Sequence, residues 1–596
     1  MSSKNRSVGL VLILSAVAAL LVGCDLGAEK SMRAAPVWSR GEQIGTAALN
    51  NPVGMAVDGN GARIHMAWVA EGESGELLHY VQLNDRAEIV VDTDLPVQVA
   101  HPQYVQLLSD GGGTSHLFWR DSREGALALY HLLINADGKA GTYPTRLSPV
   151  GAIVESFHAG FNAQGQIEVF WCCENGDLPG VYQTRLDPWG EITLPNTLVR
   201  SGGVDPWFAL AEDGTLHLTW VEKPSRDEYE VYHGTLSPVA ATLTRPTQVG
   251  FYSAPTGLTA HSPRIGLASG QAYIFWSLER RGGGLTPPSA DSFYVTFPQG
   301  SPVLGPATQI GIPGQASPRY HPVDGDFNYR ELALPVEGPE AIYTNSAFVY
   351  QVCLAGGGES ELAAAFATQL STRAQDRMQI ALTIWSEGRL KGYQVAARTR
   401  TSSLRPQLAI DSAGDFHLAW IDTAGFGEYS VYYATTSPTA RALLNRVTTR
   451  DVFSGVFNVL WGFGQAVSFF PVFLFWVLLP LVWISVYSFI RVDDDLTSTT
   501  SKVALGISYV IYFFAKFFVL PAGFMSYVPF IDKVSPPYDD WIMMGIPLAV
   551  MALAILAAAI HTRRSETKSL FAAFAIFAAV DGAISLLIYV PAYMGM

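Results

Sequence analysis

The length, composition and charge of the chain exclude a single small domain and argue against nucleic-acid binding. The 596 residues exceed what one hydrophobic core normally holds, so several folding units or a repeat architecture are expected. Hydrophobic residues make up 49% of the chain, and their excess lies in the first 23 residues and after about residue 453. The net charge is −14, and the middle of the chain lacks the basic run that nucleic-acid binding requires.

The N-terminus has the layout of a secretory signal. Lys4 and Arg6 precede an apolar stretch at residues 8–20, and small residues follow it. The sequence LVGC at residues 21–24 resembles the lipobox of bacterial lipoproteins, and this resemblance implies cleavage before Cys24 and lipidation of that cysteine. An uncleaved signal anchor is the alternative. We therefore expect a signal peptide at residues 1–23 and a lipidated linker at residues 24–34.

Residues 35–445 contain a repeat with a period near fifty residues. The first five marker tryptophans are 49 to 56 residues apart, and most units also begin with a proline. The marker tryptophans are Trp68, Trp119, Trp171, Trp220, Trp276, Trp385 and Trp420. Each unit reads as about four short strands, and the tryptophan strand is apolar on both faces, as in a strand packed between two neighbouring sheets. The pattern predicts an all-β propeller of seven blades, with six and eight as alternatives.

Residues 38–47, WSRGEQIGTA, look like the fourth strand of a blade although no first three strands precede them. We expect this segment to pair with the last blade and close the ring, because closure removes the open sheet edges.

The most polar part of the repeat is the string typified by DSAGDFHLAW at residues 411–420. Four units carry a histidine three residues before the tryptophan: His65, His116, His217 and His417. A catalytic or metal-binding residue is needed once and not once per blade, so these histidines are interpreted as buried, hydrogen-bonded strand residues. The aspartates in the preceding turns are interpreted as turn formers: Asp58, Asp110, Asp213 and Asp411.

The repeats resemble the P-x-x-x-x-D-x-x-G-x-x-H-x-x-W units of bacterial sialidase-like and related extracytoplasmic propellers, over roughly residues 35–440. This resemblance implies a glycoside hydrolase with an arginine triad and a tyrosine–glutamate pair. The Asp-box of that superfamily is absent, and nothing in the sequence connects the available arginines, Arg120, Arg264 and Arg330. A sialidase-like glycoside hydrolase is therefore the first alternative function, because fold alone does not define function.

Two stretches, residues 279–292 and 312–345, interrupt the repeat. The second contains the residues of a candidate partner-binding loop: Tyr320, His321, Asp324, Asp326, Tyr329 and Arg330. Loops on a rigid scaffold commonly bind partners, and an insertion without function is the alternative. No metal or cofactor is expected, since the D-x-D-x-N string at residues 324–328 lacks the later calcium ligands.

Three cysteines follow the signal: Cys172, Cys173 and Cys353. After export, Cys353 could form a disulfide with either of the other two, Cys172 and Cys173 could form a vicinal disulfide, or all three could be buried thiols.

The last part of the chain predicts an α-helical membrane domain at residues 467–596, after an interfacial lead-in at residues 446–466. Four apolar segments are long enough to cross a bilayer: residues 467–490, 503–525, 541–560 and 570–592. Arg563, Arg564 and Lys568 fall in a connection that lies inside the cell if the propeller is exported, in agreement with the positive-inside rule.

Two ionisable residues, Lys516 and Asp581, fall at similar depth within two of these segments. An unpaired charge at that depth is costly, so we expect an ion pair between them. The pair would hold helices together or form part of an ion or proton path.

The sequence as a whole predicts a membrane-anchored propeller on the outer face of a bacterial cytoplasmic membrane. Its main predicted role is non-catalytic: binding a protein or glycan partner, or scaffolding a membrane complex. The glycoside hydrolase is the first alternative, and a transporter or channel subunit that uses Lys516 and Asp581 is the second.

Overall fold

A computed structural model provides the structure of the protein. It describes residues 37–593 apart from a set of gaps, and the statements below concern the described residues only. The gaps are residues 49–50, 60, 74, 174–178, 237–241, 281–288, 311–329, 332–348, 356–359, 372–375, 398, 400, 424–428, 492–494, 521–523, 526–537 and 567.

The chain forms seven antiparallel sheets, which are the blades of a β-propeller, in agreement with the predicted fold. Blades one and two are β2 (Gly54–Val57), β3 (Arg63–Gly72), β4 (Gly75–Asn84) and β5 (Ile89–Asp94), then β6 (Gln103–Ser109), β7 (Ser115–Asp121), β8 (Ala128–Ile134) and β9 (Thr145–Arg146). Blades three and four are β10 (Val154–Phe161), β11 (Ile167–Cys173), β12 (Gly180–Leu186) and β13 (Ile192–Ser201), then β14 (Gly203–Leu210), β15 (Leu216–Glu222), β16 (Glu228–Leu236) and β17 (Leu243–Ser253).

The remaining blades vary this four-stranded plan. Blade five is β18 (Leu258–Ala268), β19 (Gln271–Arg280), β20 (Ser289–Pro298) and β21 (Thr308–Gln309). Blade six is β23 (Val349–Leu354), β24 (Leu362–Ser371), β25 (Asp376–Ser386) and β26 (Arg389–Val395), with the short β22 (Arg330–Glu331) on its outer edge. Blade seven is β27 (Ser403–Ile410), β28 (Phe416–Thr423) and β29 (Tyr429–Thr435), completed by β1 (Glu42–Ala47).

The pairing of β1 with β29 closes the ring. The two strands are antiparallel, with Glu42 opposite Tyr433 and Ala47 opposite Tyr429. Trp38, just before β1, is fully buried and donates a hydrogen bond from Nε1 to Gln394 Oε1 at 2.9 Å. The predicted closure by residues 38–47 is therefore confirmed, and β1 supplies the fourth, outermost strand of blade seven.

The marker tryptophans form the core of the blades, and all seven are at most 2% exposed. In β7 and β11 every residue is buried, as expected for a second strand with neighbouring blades on both faces. One detail of the sequence interpretation was wrong. Trp385 lies on β25, the third strand of blade six, whereas the other marker tryptophans lie on second strands.

The helical part begins directly after the propeller. Helix α1 (Pro438–Leu444) packs on the propeller core, and α2 (Thr449–Ser468) follows it. Four further helices are long and apolar enough to cross a membrane: α3 (Phe470–Arg491), α4 (Thr499–Val519), α5 (Asp539–Arg564) and α6 (Leu570–Tyr593). The last helix packs against α2, α3, α4 and α5, so it forms the centre of this bundle.

Candidate active site on the propeller axis

Six of the seven innermost strands carry a β-bulge near their start, and the bulges lie at one end of the propeller. A bulge places an extra residue opposite the partner strand and re-aims its side chain. Each of the six bulges contains a different polar residue. We call these residues the axial ring: Tyr104, Glu155, Asp205, Ser262, Gln351 and Arg405.

Four members of the axial ring have a left-handed backbone. The φ angles are 51° at Tyr104, 52° at Asp205, 59° at Gln351 and 54° at Arg405. A non-glycine residue in this region costs on the order of 1–3 kcal/mol, and such residues cluster at functional sites. The repeated strain at one end of the axis therefore marks that end as a candidate site.

Hydrogen bonds join neighbouring members of the ring across blade boundaries. Asp205 Oδ1 accepts a hydrogen bond from Ser262 Oγ at 2.9 Å, which links blades four and five. Gln351 Oε1 accepts one from the Arg405 backbone nitrogen at 2.8 Å, which links blades six and seven. The ring is thus held at a fixed geometry, as a preorganised site requires.

Two further arginines stand beside the ring. The Arg120 guanidinium lies over the Tyr104 ring, with Cζ 4.2 Å from the ring centroid. Its Nη1 donates to the backbone carbonyls of Val154 and Glu155. Burial lowers the pKa of Arg120, while Tyr104, Cys172, Glu155 and Asp205 oppose that shift. Arg120 therefore holds a positive charge between blades two and three, next to the acidic side of the ring.

Arg264 supplies a second cationic group on blade five. Burial is the largest effect on its pKa and lowers it; the Cys353 thiol opposes this shift, nearby Arg405 lowers the pKa further, and Tyr104 raises it. Arg264 thus lies within electrostatic range of Arg405 and Tyr104.

A stack of planar groups supports Arg264 from below the ring. Its Cζ lies 4.5 Å from the Trp207 ring centroid, and the other face of Trp207 stacks on His158 at 3.6 Å between centroids. Burial and the Arg264 charge lower the pKa of His158 to about 3, so this imidazole is neutral at physiological pH. The stack fixes the plane of the guanidinium and thereby its direction.

A histidine–carboxylate pair lies at the same end of the propeller. His261 Nε2 is 2.9 Å from Glu279 Oε2, and both side chains are about a quarter exposed, at 24% and 28%. His261 directly precedes Ser262 of the axial ring. A solvent-reachable imidazole held by a carboxylate can transfer protons, so this pair adds acid–base capacity to the site.

The structure brings some predicted residues together and separates others. Arg120 and Arg264 each lie beside the axial ring, on blades two and five, whereas Arg330 pairs with Tyr393 in a strand on the outer edge of blade six. Arg405 was missed by the sequence interpretation. The signal was present in the recurring prolines, because Asp205, Ser262 and Arg405 each stand directly before one of them.

Other predicted site residues lie outside the described part of the chain. Cys24 is one of them, and the same holds for most of the candidate partner-binding loop, namely Tyr320, His321, Asp324, Asp326 and Tyr329. Within the described ranges no group of three or more metal-ligating side chains occurs. Cys172, Cys173 and Cys353 are buried free thiols.

The four recurring histidines lie at the opposite end of the strands and are buried. His65 Nδ1 is 2.6 Å from Tyr80 Oη, and His417 Nδ1 is 2.7 Å from Tyr433 Oη. His116 and His217 each pair with a second histidine: His116 Nδ1 lies 3.1 Å from His131 Nε2, and His217 Nδ1 lies 3.0 Å from His233 Nε2. Their interpretation as buried strand residues agrees with these contacts.

The aspartates before these histidines divide into two groups. Asp110 and Asp411 accept hydrogen bonds from backbone nitrogens two residues later, at 2.8 and 2.9 Å, and Asp213 accepts one from Thr215 at 2.9 Å. These three are turn formers, as the sequence predicts. The carboxylate of Asp58 instead contacts His65 Nε2 at 3.1 Å.

In the helical part, Lys516 and Asp581 are in contact. Lys516 Nζ lies 2.7 Å from Asp581 Oδ2 and 2.6 Å from Ser585 Oγ, and Tyr512 Oη donates to the same Asp581 oxygen at 2.8 Å. All four side chains belong to residues at most 2% exposed. Within the described helices this cluster is shielded by the neighbouring side chains. It therefore gives no support to the predicted alternative of a transporter or channel subunit.

Comparisons with known proteins show no family for this chain. No family model and no curated protein matches it. Among solved structures, a polysaccharide lyase described as an ulvan lyase has 9% identity and a TM-score of 0.39, with 67% of this chain and 100% of that chain covered. An α-L-arabinofuranosidase from Fusarium graminearum has 10% identity and a TM-score of 0.34, with 57% and 94% covered.

A third solved structure, an endo-arabinase from Bacteroides thetaiotaomicron, has 12% identity and a TM-score of 0.28, with 42% of this chain and 96% of that chain covered. At these identities the likeness concerns the propeller fold alone. These three neighbours are described as a polysaccharide lyase, an arabinofuranosidase and an endo-arabinase, which disagrees with the predicted non-catalytic binding or scaffolding module and agrees better with the glycoside hydrolase alternative.

Proposed function

We propose that the protein is a membrane-anchored carbohydrate-active enzyme that cleaves an acidic glycan at the axial ring. The observation that carries this proposal is the convergence of cationic groups, carboxylates and a tyrosine, on strained backbone, at one end of the propeller axis. This is the arrangement that the glycoside hydrolase alternative requires.

Two arginines near the ring lie on different blades from its two carboxylates. Glu155 and Asp205 lie on the neighbouring blades three and four, while Arg264 and Arg405 lie on blades five and seven. Guanidinium groups bind carboxylate or sulfate groups through paired hydrogen bonds, so the arginine side suits the acidic substituent of a sugar. With the sugar bound in this way, Glu155 and Asp205 face the glycosidic bond that is cleaved.

Glycoside cleavage needs one group that protonates the leaving oxygen and a second that attacks carbon or activates water. Glu155 and Asp205 are the candidate pair of carboxylates, and His261 with Glu279 is a further proton-transfer pair. Tyr104, 44% exposed and in contact with Arg120, is placed to contact substrate from blade two. The chain between Gln309 and Val349 leads into an innermost strand at this end, so we propose that its residues, including Tyr320 and His321, help to bind the glycan.

The membrane anchor follows from the four apolar helices. We infer that the propeller lies on the outer face of the cytoplasmic membrane: the predicted signal sequence would export it, and Arg563 and Arg564 would then end α5 on the inner side. Lipidation of Cys24 would add a second attachment beside the helices. An extracytoplasmic position gives the axial ring access to glycans outside the cell.

The test is an activity screen with the full-length protein in detergent. Uronate-containing and sulfated polysaccharides and sialylated glycans are compared with a neutral arabinan, and new reducing ends are measured. Ultraviolet absorbance of unsaturated uronate distinguishes elimination from hydrolysis. We expect cleavage of an acidic glycan; if no carbohydrate in the panel is cleaved, the proposal is wrong.

The chain offers a matched pair of arginines for this test. Arg405 and Arg245 both have a left-handed backbone, with φ of 54° and 50°, and both precede a proline. Arg245 lies on β17, the outer strand of blade four, far from the ring. We expect Arg405→Gln to reduce kcat/KM by about 10²–10³, the usual effect of losing a charged transition-state contact, and Arg245→Gln to leave it unchanged. Equal activity of the two variants would remove Arg405 from the site.

A further inference from the structure

The outer surface of the membrane domain contains a groove between α3 and α6. The groove has a volume of about 370 Å³, within the range of sites that hold small ligands. All its lining residues are apolar, and they include Phe470, Phe473 and Leu481 from α3. Such a groove within a bilayer suits a hydrocarbon chain and excludes a polar ligand.

Small residues keep the groove open. Ala575, Ala579 and Ala583 are spaced four residues apart on α6 and are exposed, although α6 is the most buried of the four membrane helices. Gly582 forms part of the floor, because a Cβ atom there would overlap the Phe473 ring. Larger residues at the alanine positions would fill the space, so the shape of the groove depends on side-chain size.

The N-terminal segment is tethered close to this part of the chain. Val37, the first described residue, accepts a hydrogen bond at its carbonyl oxygen from Arg441 Nη1 of α1 at 2.8 Å. The Arg40 nitrogen donates to Asn445 Oδ1, also at 2.8 Å, just after α1 ends. The chain before Val37 therefore starts beside the junction between propeller and membrane helices.

The segment between Cys24 and Val37 is long enough for a lipid on Cys24 to reach the groove. Cys24 stands thirteen residues before Val37, a stretch that spans at most about 45 Å when extended. Helix α2, which separates the junction from Phe470, has 20 residues and is about 30 Å long. Phe470 begins α3 and lines the groove, so the groove lies within reach of the extended segment.

We propose that the groove between α3 and α6 holds the acyl chain carried by Cys24. The protein then binds its own lipid anchor, and the acyl chain fills the space left by the α6 alanines. Burial of hydrocarbon against Phe473 and α6 fixes the N-terminal segment to the membrane domain, in addition to its insertion in the bilayer.

The test uses a fatty acid with a photoactivatable diazirine group, supplied to bacteria that produce the full-length protein. Membranes are irradiated before solubilisation, and mass spectrometry identifies peptides joined to the acyl chain on Cys24. We expect cross-links from Cys24 to α3 and α6. Ala579→Phe fills the groove and should remove these cross-links, whereas Ala552→Phe on the exposed face of α5 should retain them.

Three outcomes would overturn the proposal. The first is a Cys24 that carries no acyl chain. The second is a set of cross-links spread evenly over all helices, or unchanged by Ala579→Phe, which would show that the chain lies free in the bilayer. The third is labelling of the groove by phospholipid in the wild-type protein at the level seen in Cys24→Ser, which would identify bulk lipid as the occupant. None of these outcomes depends on the carbohydrate activity.

Discussion

The two ends of the propeller strands use polar residues in opposite ways. At one end the same residue recurs: His65, His116, His217 and His417 occupy one position in four blades, and each bonds a partner on the third strand of its own blade. At the other end, six blades place six different polar residues in the axial ring, and their contacts cross between blades.

The difference separates structural from functional polarity. A residue repeated across several units solves a problem that those units share, which here is to satisfy a buried strand position. A position that differs from blade to blade, on strained backbone, solves a problem that the whole ring has once. In a repeat protein the position that breaks the repeat is therefore the better guide to function.

Lowering the pH should produce the largest change in stability, because it acts on the buried histidines. Burial lowers the pKa of His116 to about 4 and those of His131 and His233 to about 3, whereas an exposed histidine titrates near 6.5; Asp110 and Asp187 only partly oppose the shift at His116. The unfolded chain thus binds protons below pH 6.5 that the folded chain excludes. Stability is fully present above about pH 6.5 and is lost as pH falls towards 4 and 3.

The expected loss is about 1.4 kcal/mol for each such histidine and pH unit, measured as a fall in melting temperature of the detergent-solubilised protein between pH 7 and pH 5. His116→Leu combined with His131→Leu should flatten this pH dependence. A melting temperature that is independent of pH would show that these pairs do not remain neutral.

The Asp205→Asn substitution should lower the activity of the protein without lowering its stability. The asparagine keeps the size and the acceptor for Ser262 but removes the charge, so we expect kcat on the cleaved glycan to fall by about 10²–10⁴. The melting temperature should change little. Asp213→Asn, in the same blade but in the turn at the histidine end, is the control and should keep full activity. A fully active Asp205→Asn variant would exclude that carboxylate from the chemistry.

The smallest effect is expected from one histidine of a buried pair. His233→Leu leaves His217 Nδ1 without its 3.0 Å partner, so we expect a loss of about 1–3 kcal/mol in stability with unchanged kcat/KM. Replacing both residues with leucine should recover part of that loss, because no buried polar atom then lacks a partner. Chemical denaturation of the solubilised protein measures both changes. A loss of activity without a loss of stability would contradict the structural role.

Several elements of the fold could be predicted from the sequence because they depend on local patterns. The tryptophan period of about fifty residues predicted the blades, since each blade buries its own second strand. Apolar segments of about 20 residues predicted the membrane helices in the same way. The closing strand was predictable because its pattern matched the missing fourth strand of a blade. Blade six was partly misassigned because Trp385 sits on a different strand from the other marker tryptophans.

The repeat, the ring closure and the apolar helices could thus be recognised from the sequence, since each follows from periodic burial within a short stretch of chain. The set of residues at the end of the axis follows from the folded chain alone. Arg264 and Tyr104 come from blades five and two, and no spacing along the chain records that both lie at this end of the propeller. The physical reason is that a propeller brings equivalent positions of distant repeats to one axis, so its site is assembled by ring closure.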